Sequence, residues 1–565
     1  MRASLKSFLG DSWVLARPYW VSEERWPARG LLAAVIGLNL ALVYLNVLFN
    51  DWNNLFYNAM QDKDIEAFWH QLFRFSWLAF LFIATAVYQL YLTQMLQIRW
   101  RRWLTERTLA EFLADHTYYR FQFLGQATDN PDQRIAEDLR LFVYYTLDLS
   151  LGLLSSVVTL VSFVTILWGL SGSLAFSLGG FDIEIPGYMV WVALVYSAAG
   201  TWLTHVVGRS LAGLNFNQQR YEADFRFSLV RLRENAEGVA LYRGEQRERD
   251  HLSARFAQVV TNWWGIMRCR KRLTWFTSGY TQVAIIFPFL VSAPRYFSGA
   301  IQLGGVMQIS SAFGQVQTAL SWFVEAYVNV AEWRAAVTRL TSFHAAIATI
   351  RAAGTLNPAI TVETGPDQNL GLHALRLDLP GGGSLVEPGT LTIEPGQWLL
   401  ITGPSGSGKS TLFRAIAGLW PFGCGRITLP QTKRVLFLPQ KPYLPIGPLR
   451  AAVAFPTAAE QFSDAALAEA LTVCGLPALV DRLDESDHWA LRLSPGEQQR
   501  LAFARAVLHR PDWLFLDEAT AACDAATEAR LYTVVRERLP TTMVVSIGHR
   551  AALAEWHGRS LTWGQ

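Results

Sequence analysis

Six apolar stretches dominate the first three fifths of the chain, at approximately 30–50, 73–97, 142–169, 187–208, 274–294 and 303–330. A bilayer needs about 20 apolar residues to be crossed by a helix. Inside hydrocarbon every backbone N–H and C=O must be paired within the protein, so such stretches have to be helices. The remaining composition agrees. Hydrophobic residues make up 51% and charged residues only 17% of the 565 positions, against roughly 25% charged in an average protein. A net charge of +3 is too small to suggest a nucleic-acid partner.

The position of the charges orients the spans. The segment DWNNLFYNAMQDKDIEAF between spans one and two carries four acids and one Lys. Between spans two and three stand seven arginines: Arg99, Arg101, Arg102, Arg107, Arg120, Arg134 and Arg140. The segment around Asp182 and Glu184 has no Lys or Arg, and the stretch from Arg209 to Arg272 is basic again. Alternating charge of this kind follows the positive-inside rule and predicts both termini in the cytosol. The two basic loops are too long to be structureless, so they are expected to continue the membrane helices. Asn130-Pro131-Asp132 reads as a helix start, suited to a docking contact.

Polar residues inside the spans are functional candidates. Gln308, Ser311, Gln315, Thr318, Trp322, Glu325 and Asn329 recur at steps of three and four on one helical face. Glu325 is expensive at membrane depth and is expected to face a wet cavity; Gln308, Gln315 and Asn329 share its stripe. In span one, Asn39, Asn46, Asn50 and Asn53 could line such a cavity or bond helix to helix.

The expected domains are a membrane region at 1–340, a linker at 341–371 and a soluble α/β domain at 372–565. In the last, Gly403-Pro404-Ser405-Gly406-Ser407-Gly408-Lys409-Ser410-Thr411 lies between a strand-like WLLIT and a helix-like TLFRAIAGL. This is the phosphate-loop pattern in its required context. Glycines let backbone N–H groups converge on phosphate oxygens, Lys409 reaches the outer phosphates and Ser410 offers a Mg²⁺ ligand. The apolar run WLFL ends in Asp517 and Glu518. It predicts a buried parallel strand that delivers one carboxylate to Mg²⁺ and another to polarise the attacking water.

With Gln440, Leu493-Ser494-Pro495-Gly496-Glu497-Gln498 and His549 added in this order, the chain resembles ATP-binding cassette (ABC) transporters. The resemblance implies a six-span, exporter-like membrane fold joined to a phosphate-loop ATP-binding domain. It makes Ser494 and Gly496 the signature loop that completes the ATP site of a second copy. Gln440 senses Mg²⁺ and the γ-phosphate, His549 contacts the γ-phosphate, and Asp524 lies in the loop crossing between copies. One membrane half with one nucleotide domain then predicts a homodimer. Two departures stand out. Pro495 replaces the usual Gly, and no Phe, Trp or Tyr occurs from Ala345 to Gln397 to stack on adenine, which leaves Leu385, Pro380 or a residue from elsewhere.

Three further segments sharpen the resemblance: FNDWNNLFYNAMQDKDIEAFW, NPDQRIAED and ENAEGVALYRGE. The first is similar to the SbmA/BacA peptide-uptake family, the other two to that family and the peroxisomal subfamily D transporters. They imply an importer in the bacterial cytoplasmic membrane, surrounded by lipid, driven by ATP and Mg²⁺. Its cargo would be bulky hydrophilic solutes: peptides, bleomycin-like compounds or cobalamin. The coupling contacts are expected near Asn130–Asp138 and Glu234–Tyr242. The alternatives are an exporter or lipid/acyl-CoA mover, and an ATP-gated channel.

Overall fold

After helix α1 (Arg2–Trp20), six long helices carry the apolar stretches: α2 (Arg25–Gln61), α3 (Ile65–Leu113), α4 (Leu139–Ser171), α5 (Tyr188–Glu234), α6 (Glu245–Phe297) and α7 (Leu303–Leu356). The computed structural model describes residues 2–123, 130–178, 181–356, 360–366, 368–394, 396, 398–430 and 434–563. Among them, five helical segments are long and apolar enough to cross a membrane, and they lie within 25–297. The sixth expected span, 303–330, is the first half of the 54-residue α7. α6 has 53 residues, hence about 80 Å of helix, more than twice a hydrocarbon core of about 30 Å. The basic loops are therefore largely helix, as expected. Strands β1 (Ser173–Leu178) and β2 (Phe181–Pro186) form an antiparallel hairpin between α4 and α5.

The chain divides into two units: Met1–Glu111 with Thr128–Ala345, and Phe112–Ala127 with Ala346–Gln565. In the first, α3 turns a stripe of Phe73, Trp77, Phe80, Ile83 and Val87 outward. Steps of three and four keep these on one face, and lipid is the solvent that suits them. The inner faces pack around Tyr19, Trp100 and Phe142 near one end and around Phe163, Leu167 and Val316 further along.

Polar side chains on α2 are spent on helix pairing. Asn50 Nδ2 donates to the Gln308 carbonyl (2.9 Å) and Asn54 Nδ2 to Gln308 Oε1 (2.7 Å). Asn58 Oδ1 and Gln61 Oε1 accept from the N–H groups of Gly304 (2.8 Å) and Leu303 (2.7 Å), which satisfies free donors of the first turn of α7. Gln308, expected in the transport path, is thus bonded across helices. Asn329 Nδ2 reaches Asp148 Oδ2 on α4 at 3.3 Å. Gln315 is half-buried; the side chain of Glu325 lies outside the described residues. α5 and α6 run together through a stacked Tyr196–Tyr280 pair, 4.6 Å between centroids, each hydroxyl donating to the other's carbonyl.

The helix start at Asn130 is present. Asn130 is left-handed (φ 48°) and makes no side-chain cap; Pro131 opens the helix. A π-turn at Arg134–Asp138 leads into α4. It buries Asp138, which accepts from Arg134 Nη1 (2.6 Å) and from Arg339 Nη2 (2.6 Å) and Nε (2.9 Å). This segment clamps α4 to α7 inside the first unit. Just before it, inside the second unit, Phe123 meets Trp420 (5.3 Å) and Phe422 (5.5 Å) edge-on, and Arg120 Nη2 donates to the Gly418 carbonyl.

In the second unit, β3 (Ile360–Gly365), β4 (Leu370–Asp378), β5 (Ser384–Ile393) and β7 (Gly423–Pro430) form a mostly antiparallel sheet in the order β3-β7-β4-β5. The expected linker 341–371 is instead the end of α7 followed by β3, because Ile360, Thr361 and Val362 pair with β7. The second sheet contains β6 (Leu399–Thr402), β8 (Val435–Leu438), β9 (Trp513–Asp517), β10 (Met543–Ile547) and β11 (Arg559–Thr562) in the order β11-β6-β10-β9-β8, all parallel.

Removing a buried carboxylate from between two arginines leaves uncompensated charge, at a cost of roughly 3 kcal/mol. Asp138→Ala should therefore lower the melting temperature of the detergent-purified protein by several degrees. Unchanged melting would mean that the clamp carries no stability.

Candidate nucleotide site

The register of the parallel sheet assembles the site. Asp517 stands beside Ile547, Ile547 beside Ile401, and Leu516 beside Leu438. The ends of β6, β8, β9 and β10 are therefore level, and the residues that follow each strand meet at one sheet edge. This is where ligands bind in open parallel sheets.

After β6 the chain turns through Gly403 and reaches helix α8 (Lys409–Ile416). Gly403 (φ 149°) has a backbone conformation that side chains rarely adopt, and a Cβ there would strike the Trp563 carbonyl. Gly408 is left-handed (φ 86°), and its α-carbon faces Leu385 and Val386. Lys409 is buried and folds back, its Nζ donating to the carbonyls of Gly403 (2.9 Å) and Pro404 (2.6 Å). Pro404, Ser405, Gly406 and Ser407 form the crest of the loop, and Thr411 is buried one turn into α8.

Ser410 Oγ donates to Asp517 Oδ1 at 2.9 Å. Burial pushes the Asp517 carboxyl above the usual range; the Ser410 hydroxyl opposes this, and the neighbouring Glu518 adds to it. A cation beside this pair would relieve that penalty. Among the described residues no group of three or more His, Cys, Asp or Glu could hold a metal alone. Two hard oxygens fit Mg²⁺, which keeps water and phosphate oxygens for its remaining positions.

Glu518 follows directly. It is left-handed (φ 49°), and its N–H is tied to the Ile547 carbonyl at 3.0 Å. A strained backbone held by its surroundings is common where a side chain has to be aimed. Its carboxylate lies between Gln440 Nε2 (3.0 Å to Oε2) and His549 Nε2 (3.2 Å to Oε1). Three residues singled out separately in the sequence are therefore one cluster.

Ser494 and Gly496 open helix α9 (Pro495–His509). Ser494 accepts from the Glu497 N–H, and Glu497 accepts from the Ser494 backbone and hydroxyl, which completes a capping box. Those bonds hold the Glu497 carboxyl below its usual range. Pro495 occupies the first helical position, where its missing N–H removes no helical bond. Asp524 caps helix α10 (Ala525–Arg538) by accepting from the Thr527 N–H at 2.7 Å.

Two residues absent from the sequence reading hold these loops together. Gln499, 3% exposed, donates Nε2 to the Gln440 carbonyl (3.0 Å), and its Oε1 accepts from the Ala522 N–H (2.9 Å). It ties the Gln440 loop to the Asp524 loop behind Glu518. Arg550 donates to the carbonyls of Cys523 (2.9 Å) and Ala521 (3.1 Å) and pairs with Glu528 (3.3 Å). A Gln inside a signature-like helix and an Arg beside His549 carry no spacing signal of their own.

The chain matches the family models "ABC transporter transmembrane region 2" over residues 15–297 and "ABC transporter" over 386–521. It is 35% identical to the inner membrane ABC transporter ATP-binding protein YddA of Escherichia coli (strain K12), covering 97% of this chain and 96% of that protein. It is 35% identical to ABC transporter D family member 2, chloroplastic, of Arabidopsis thaliana, covering 99% and 86%. It is 27% identical to the human lysosomal cobalamin transporter ABCD4, covering 89% and 86%. The structure of a bacterial Atm1-family ABC exporter with ATP bound superposes with a TM-score of 0.70 at 17% identity, covering 95% and 93%, and shows the shared fold. A membrane region and an ATPase domain in one chain, matched along nearly its full length, mean that the chain belongs to the ABC transporters, as an ATPase-coupled half-transporter of the D family.

Proposed function

We propose that the protein works as a homodimer in the bacterial cytoplasmic membrane, termini in the cytosol, and imports bulky hydrophilic solutes, peptides foremost. The observation that carries the ATP-driven part is Glu518 aimed between Gln440 and His549 beside the Ser410–Asp517 pair. In this reading Lys409 and the glycine loop hold the phosphates, and Ser410, Asp517 and Gln440 hold Mg²⁺, which neutralises phosphate charge. Glu518 orients and deprotonates the attacking water, and His549 bonds the γ-phosphate. Leu385, beside Gly408, is the aliphatic contact for adenine.

The second copy is needed because the side-chain bonds of Ser494 stay within its own capping box, leaving its loop for a partner's nucleotide. The tip between α5 and α6 supports the same arrangement. Leu241 and Tyr242 there are 77% and 90% exposed and would dock on the partner's nucleotide domain. Coupling to the chain's own nucleotide domain would pass through the segments at Phe123 and Asn130–Asp138.

Import of hydrophilic cargo rests on the resemblance at 49–69 and on the cobalamin transporter among the relatives. The acidic loop supports cationic cargo only in part. Asp51 pairs with Arg74 (2.9 Å) and Asp64 caps α3 through the Ala67 N–H (3.0 Å), which leaves Asp62 and Glu66 as the freer charges.

The test is uptake of a labelled cationic peptide by cells lacking their own importers. Wild type should accumulate it, and Glu518→Gln should lose about 10²-fold of ATP turnover together with uptake. Equal uptake by both would point to a channel. No uptake by an ATP-hydrolysing wild type would remove cationic peptides as cargo. Gln499→Leu leaves buried polar groups unpaired at about 1–3 kcal/mol; turnover should fall about tenfold, with ATP affinity nearly kept. Equilibrium nucleotide binding beside steady-state hydrolysis checks this. Phe123→Ala removes two aromatic contacts worth about 1–3 kcal/mol together. Basal hydrolysis should persist in proteoliposomes while transport per ATP drops; unchanged coupling would place the docking contact elsewhere.

A further inference from the structure

A cavity of about 620 Å³ lies where α1 meets α2, α3, α4 and α7, within the size range of small-molecule sites, about 300–1,000 Å³. The nucleotide cycle does not use it. Its wall is apolar: Leu32 and Ile36 from α2, Trp100 from α3, Leu151 and Leu154 from α4, Trp333 from α7. Two polar groups on that wall are satisfied within the protein. Ser12 Oγ donates to the Phe8 carbonyl (2.9 Å), and Thr146 Oγ1 accepts from Trp333 Nε1 (2.9 Å) while donating to the Phe142 carbonyl (2.6 Å). What remains inside is hydrocarbon and indole surface with one buried donor, Trp100 Nε1, that has no partner among the described residues. Leu9 and Trp13 at the edge are about half exposed (51% and 58%), so the cavity opens outward.

One charged residue lines it. Arg29, exposed, donates Nε and Nη2 to the Trp20 carbonyl at the end of α1 (3.2 and 2.8 Å). That contact fixes one edge of the guanidinium and leaves Nη1 free, and among the described residues Arg29 has no acidic partner. The depth is defined as well. Arg29 lies just inside the start of α2 and Trp100 sits between Arg99 and Arg101, so the cavity straddles the boundary between hydrocarbon and the Arg-rich side. Tryptophans concentrate at that level. An apolar interior with an oriented cationic mouth at the headgroup level matches one class of molecule.

We propose that this cavity binds an anionic phospholipid, one acyl chain inside against α4 and α7 and the phosphate on Arg29. The lipid would wedge α1 to the helices that carry the Asp138 clamp; it is a resident ligand, separate from any cargo. Only the naming of its leaflet as cytosolic rests on the orientation proposed above.

The test is native mass spectrometry of the full-length protein in detergent, with phosphatidylglycerol or phosphatidylcholine of identical chains added. Wild type should retain phosphatidylglycerol about fivefold more strongly, the effect of one basic residue near an anionic headgroup. Arg29→Gln should bring phosphatidylglycerol down to the phosphatidylcholine level, and Ser150→Trp, which fills the cavity, should abolish retention of both. Equal retention of the two lipids by wild type, or a phosphatidylglycerol adduct that survives both substitutions, would overturn the proposal. Retained ATP hydrolysis by the variants verifies their folding, and the comparison in wild type decides the matter without them. A failed peptide-uptake experiment would leave this result untouched.

Discussion

Ile401, Asp517 and Ile547 stand side by side in adjacent parallel strands, and the nucleotide site depends on that alignment. A slip of one residue in β9 would turn every side chain to the other face of the sheet. It would also carry Asp517 away from Ser410 and Glu518 away from Gln440 and His549. The strands are pinned by burial on both sides: Leu514, Phe515, Leu516, Val544 and Val545 are all nearly fully buried. Packing of these apolar residues fixes the position of the carboxylates to within a hydrogen bond.

Two loops then have to be held relative to that edge, and here buried polar side chains take over from packing. Gln499 bridges the Gln440 and Asp524 loops, and Arg550 grips the turn at 521–523. The same division holds in the membrane unit. Apolar residues on α3 face outward to lipid, and directional bonds fix neighbouring helices: Asn50, Asn54 and Asn58 to the start of α7, and Asp138 to Arg339 further along it.

Much of this was legible in the residues. The glycine spacing, Lys409 and the two acids after WLFL are set by phosphate and metal chemistry, which tolerates few alternatives. The spans were legible because hydrocarbon allows no other backbone. What escaped was what depends on partners distant in sequence. Asn130-Pro131 does start a helix, but nothing local shows that Asp138 would be buried between Arg134 and Arg339. The run TYYRFQF has no turn residues, so the packing of Phe123 on Trp420 and Phe422 was invisible. The asparagine stripe was read through Asn53, whereas the helix-pairing face runs through Asn54 and Asn58, beyond the expected end of the span. The bonds of Gln308 to Asn50 and Asn54 escaped because those partners lie more than two hundred positions away.

The central claim is that each nucleotide site joins the phosphate loop of one copy to the signature loop of the other. Dimers purified through two different tags on the two copies test it directly. In one preparation a single copy carries both Lys409→Ala and Ser494→Arg, opposite a wild-type copy. In the other, each copy carries one of the two substitutions. The account predicts ATP hydrolysis in the second preparation, where one intact composite site survives, and none in the first. Hydrolysis in the first and none in the second would place each complete site within one chain and contradict it.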